Sequence, residues 1–162
     1  MKVLDLLHDH IITGDQYVRQ MQKMLDKLDK IIPLTSESFD ALTLEHTGYL
    51  DGITGRFAKL QDLIGAKIFP ICLILAGEEK QQQTAIDVYN TLEKIDLLPS
   101  AREWRQLRDL RNTLTHEYAI NNPDILIKNL NNVLYHTKPL MLYWKDLCSK
   151  MEVLEKKYKA LL

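Results

Sequence analysis

Residues 111–118, Arg-Asn-Thr-Leu-Thr-His-Glu-Tyr, set a guanidinium five residues before an imidazole, with a phenol two residues further on. Arginine is a permanent, forked cation that matches a phosphate. Histidine exchanges a proton readily near neutral pH. Arg111 and His116 are therefore a candidate site for chemistry at a phosphate, whereas Glu117 reads as a solvent-facing acid. No other stretch carries as sharp a signal. His8-x-His10 has no Cys, His or carboxylate set at matching spacing, so it reads as part of a frayed terminal segment, and no metal is expected. His46 and His136 lack evident partners, and neither phosphate-cradling glycine loops nor a serine elbow occurs.

A helix must position these residues. Ser100 and Glu103 form a capping box directly after Pro99, so a helix is expected from there to about Tyr118. At about 100° per residue, Trp104, Leu107, Leu110 and Leu114 share one side, and Arg111 falls inside that apolar sector. A charge there must snorkel, pair with an acid or face a second surface, because burying it alone is costly. A symmetric dimer seam would be such a surface. His116 lies roughly 140° from Arg111 on an ideal helix, so two protomers could pool both pairs in one cleft. Asn112 is one turn before His116, where its amide could orient the ring.

Arg102, Arg105, Arg108 and Arg111 recur every third residue and make a ridge suited to a phosphate backbone, with Arg105 and Arg108 as candidate RNA contacts. The competing account is a solvated face with internal pairs, since Asp109 is one turn from Arg105. For Arg111 and His116 it is a buried ion pair or a helix C-cap.

The rest of the chain is helical in period. Thr13 with Gln16 suggests the start of a first helix, carrying Val18, Met21, Leu25, Leu28 and Ile32 up to Pro33. After Thr35-Ser36, a second stripe runs from Leu50 to Leu75 and ends at Gly77, with bends expected at Gly48 and Pro70. Glu78–Gln83 reads as a loop, and Thr84 with Asp87 caps a short helix reaching Pro99. Asn121-Asn122-Pro123 opens a last helix that continues through Pro139, where a kink is expected, to Leu161. No segment alternates at period two long enough for a strand. The expectation is one all-α domain over residues 1–162, an antiparallel up-and-down bundle of four to five helices with the last extended at about 140–162.

Composition narrows the function classes. The 162 residues carry a formal net charge of −1, so any nucleic-acid contact must be local rather than a global basic field. Cys72 and Cys148 lie far apart in apolar helical surroundings and read as buried free thiols, which suits a reducing cytoplasm. The longest apolar run, Ile68–Gly77, contains Pro70 and is too short to span a bilayer, so neither secretion nor membrane insertion is expected.

The pattern R-N-x-x-x-H-x-Y resembles the Arg-x4-His-x-Tyr signature of the HEPN toxins, all-helical ribonucleases paired with a minimal nucleotidyltransferase and also described as nucleotidyltransferase substrate-binding proteins. The capped helix before it, the Asn-Pro start after it, and Gly-Arg-Phe-Ala-Lys-Leu-Gln-Asp at 55–62 extend the resemblance over most of the chain. It implies a homodimeric helical bundle that cuts RNA without a metal or cofactor, with Arg111 and His116 catalytic and Asn112 in support. It also implies an MNT-type nucleotidyltransferase antitoxin as partner, which would transfer AMP to Tyr118. The basic amphipathic portion from Tyr143 to Leu162 departs from the pattern. The alternative is a non-catalytic nucleotide- or substrate-binding subunit of a nucleotidyltransferase, and a third class is a helical interaction module.

Overall fold

The computed structural model describes residues 2–79, 84–117 and 122–162, and of 114–117 the backbone alone. All regular structure in these residues is helical: α1 (Lys2–Leu28), α2 (Ser36–Asp40), α3 (Leu44–Leu63), α4 (Phe69–Leu75), α5 (Ala85–Lys94), α6 (Ala101–Glu117) and α7 (Pro123–Ala160). A π-helical turn, Ile64–Ile68, joins α3 to α4 without a break. Counting that run as one rod gives six helices among the described residues. The one beyond the expected five is α2, which local capping creates. Thr35 caps it with Ser38 as reciprocal partner, and Thr43 with His46 then restarts the chain as α3.

The first helix begins earlier than the Thr13–Gln16 pattern suggests. It runs unbroken through Thr13, whose hydroxyl donates to Asp9 O at 3.1 Å instead of capping a new start. Residues 2–12 are held as well. Leu4 and Leu7 are buried, and His8 Nε2 lies 3.0 Å and 3.1 Å from the two Glu155 carboxylate oxygens on α7, so the expected terminal fraying is corrected. Lys159 and His8 together hold the Glu155 carboxyl below its ordinary range.

Other punctuation acts as expected. Gly77 adopts φ +73°, and the Gly77 N–H to Ile74 O and Glu78 N–H to Leu73 O bonds close α4. Thr84 and Asp87 cap α5 reciprocally. Asn122 accepts from Asp124 N and Ile125 N at the start of α7, where Pro123 needs no intrahelical partner.

The core forms where α1 packs on α3, α3 on α7, and α6 on α5 and α7. Phe57, Leu60, Ile64, Phe69, Trp104, Trp144 and Met151 are among its buried side chains. Burial also pushes the thiols of Cys72 and Cys148 up to about 12, which keeps both protonated and poorly nucleophilic at neutral pH. Cys72 is buried and Cys148 only partly so. No described helix is long and apolar enough to cross a membrane.

A side-chain clamp fixes the segment between α1 and α2. Asn131 on α7 accepts from Leu34 N at 2.7 Å and donates to Leu34 O at 2.8 Å, satisfying both backbone groups of a buried residue. Asn131→Ala removes both bonds at once. Denaturant unfolding should show a loss of about 1–3 kcal/mol, and an unchanged midpoint would mean that water replaces the clamp at no cost.

Candidate functional site

The N-terminal end of α6 is pinned on two sides. Ala101 N donates to Glu93 Oε2 on α5 at 2.7 Å, and Glu103 N donates to Ser100 Oγ at 3.1 Å. From α7, the Tyr143 hydroxyl donates to Leu97 O at 2.7 Å in the preceding loop. Trp104 then sets the rotation of the helix. Its ring packs against Phe69 at a centroid distance of 4.9 Å and against Tyr143 at 6.1 Å. With Trp104 wedged inward, Arg108 and Arg111, four and seven residues on, are carried toward α5 and α3.

Arg111 resolves its place in an apolar sector by pairing with an acid. Its Nη2 lies 2.7 Å from Asp62 Oδ2 on α3, and its Nη1 donates to Asn112 Oδ1 at 3.2 Å. The Arg111 side chain is 30 % exposed and that of Asp62 50 %. Such a half-exposed pair contributes at most about 1 kcal/mol, so an incoming phosphate can compete for the guanidinium. Asp62 thus aims Arg111 without sealing it away.

Arg108 Nη1 donates to the Tyr89 hydroxyl at 3.0 Å. Arg108 and Arg111, with Asp62, Gln61, Tyr89 and Trp104, border a cavity of about 250 Å³ beside the π-helical turn. Arg105 is exposed on α6. Among the sequence-derived candidates, the structure therefore joins Arg111 to Asn112 and brings Arg108 to the same cavity. His116 lies in the last turn of α6, with its side chain outside the described residues, and Tyr118 lies outside them altogether.

Asp62, Gln61 and Tyr89 did not stand out from the sequence as site residues. Asp62 had a signal: an arginine on an apolar helix face needs an acid, and Asp62 is the single acid in the 55–62 segment. Tyr89 had none, because its position on the α5 stripe reads as core.

No protein-family model matches the chain, and no curated protein and no solved structure matches it. The functional reading therefore rests on the residues themselves.

Proposed function

We propose that the protein is a metal-independent endoribonuclease toxin of the HEPN type, working in the cytoplasm as a homodimeric up-and-down bundle. The observation that carries this reading is Arg111, held at 2.7 Å by a half-exposed Asp62 in the helix that bears His116 five residues later. The substrate's own 2′-hydroxyl attacks the adjacent phosphorus, and the 5′-linked oxygen leaves. His116 exchanges the proton, and Arg111 stabilises the added negative charge on the phosphoryl oxygens. Because the two residues diverge on one helix, the cleft forms where the α6 ends of two protomers meet. Arg105 contributes affinity for the RNA backbone rather than chemistry.

The direct test is incubation of purified protein with RNA in excess chelator. Cleavage that disappears in His116→Ala supports the nuclease. Tight nucleotide binding without cleavage would transfer the reading to a substrate-binding subunit.

The proposed control of the toxin rests on the spacing of the motif in sequence. An MNT-type nucleotidyltransferase antitoxin attaches AMP to Tyr118, two residues from His116, and the added phosphate sets negative charge where substrate phosphate would bind. Co-expression and intact-mass analysis should show one or more added AMP units, absent in Tyr118→Phe. Neutralisation of an unmodified toxin by complex formation alone would overturn this mode of control.

A further inference from the structure

We infer that the cavity between α3, the π-helical turn, α5 and α6 is a binding site for a phosphomonoester that shares Arg111 with the proposed nuclease but does not need His116. Its wall is rich in hydrogen-bond donors and poor in acids. Two guanidiniums, Arg108 and Arg111, face one carboxylate, Asp62, and Gln61 brings an amide although the residue is only 3 % exposed. Tyr89 spends an acceptor lone pair on Arg108, which leaves its own O–H able to donate. A dianionic group with several acceptor oxygens matches this set better than a carboxylate does.

Two further observations point to a ligand. Among the described residues the Trp104 indole Nε1 is buried and has no hydrogen-bond partner, a state that costs about 1–3 kcal/mol and favours an added acceptor. The edge of the ring beside Nε1 faces the cavity wall, since a side chain begun at Gly65 would lie 3.5 Å from Trp104 Cζ2. The wall there is also built from an irregular turn. π-Helical turns inside α-helices concentrate at functional sites, and this one supplies Gly65 and Ala66, whose small side chains leave the space open. The volume of about 250 Å³ is below that of a drug-sized pocket, so the occupant is a phosphate with a small sugar rather than a dinucleotide.

The phosphomonoester could belong to a free sugar phosphate or to the 5′ end of an RNA. The two tryptophan indole N–H resonances separate the outcomes in one amide-correlated spectrum, because Trp144 Nε1 is already bonded to Asp15 Oδ1 at 2.8 Å and stands as an internal reference. Titration with inorganic phosphate should move the Trp104 indole saturably and leave that of Trp144 in place. Arg108→Gln should weaken this binding at least about tenfold, the loss expected for one charge-assisted hydrogen bond. Gly65→Ala, whose methyl would meet Trp104 at ordinary contact distance, should weaken it while keeping the fold. Tighter binding of ribose 5-phosphate assigns the site to a small molecule, whereas preference for a 5′-phosphorylated over a 5′-hydroxyl RNA hexamer assigns it to an RNA end. Equal movement of both indoles, no saturation, or an unchanged response in Arg108→Gln would overturn the proposal. His116→Ala should bind phosphate as the parent does, so loss of the nuclease and loss of this site are separable.

Discussion

Arg111→Ala and His116→Ala should each lower RNA cleavage by about 10²- to 10⁴-fold while the helical content and unfolding midpoint stay close to those of the parent. On the proposed mechanism, losing His116 removes the group that moves the proton, and losing Arg111 removes the cation that meets charge building on the phosphoryl oxygens. Neither change should cost much stability, because the Arg111–Asp62 pair is half exposed and His116 lies in the last turn of α6. Initial rates on a labelled RNA give the comparison. If either variant cut the same sites at the parental rate, the assigned chemistry would be wrong.

A large structural effect is expected at Gly14. A methyl group there would overlap the Trp144 ring at Cζ2, Cη2 and Cε2. That ring is fully buried and tethered through Nε1 to Asp15 Oδ1 at 2.8 Å, so it cannot swing aside without breaking a hydrogen bond. Alanine gains about 1 kcal/mol over glycine in a helix interior, but overpacking and the loosened tether should outweigh it. Gly14→Ala should therefore lose about 2 kcal/mol, a fall in Tm of about 4–8 °C for a chain of this size. A thermal midpoint at or above the parental value would show that α1 and α7 can separate freely at this crossing.

Gly14 also shows what the sequence conceals. The Thr13–Gln16 pattern reads as a helix start, yet Gly14 sits inside α1, where the Trp144 ring occupies the space a side chain would take. That ring lies 130 residues away in the chain and has no local signature. Local chemistry, by contrast, is legible. The Thr84–Asp87 box, the Gly77 stop and the Asn122-Pro123 start all form from neighbours in sequence, and the structure places each where capping chemistry puts it. The short α2 was missed because two threonine caps eight residues apart read as one polar stretch.

The candidate site divides in the same way. The position of Arg111 in an apolar sector followed from the helical wheel, and so did its need for an acid or a second surface. Which acid answers it depends on the packing of α3 against α6, a tertiary fact. Arg108 looked like a backbone contact for RNA. Its bond to Tyr89 also places it beside a cavity that only the junction of α3, α5 and α6 creates.

Cleavage at a single ribose tests the central claim most directly. An oligonucleotide of 2′-deoxynucleotides with one internal ribonucleotide, incubated with the purified protein in excess chelator, offers one 2′-hydroxyl as nucleophile. The account predicts a cut after that ribose, leaving a 2′,3′-cyclic phosphate and a 5′-hydroxyl, and no cut in His116→Ala. An intact oligonucleotide under conditions where all-ribose RNA is cut, or products ending in a 5′-phosphate, would contradict it.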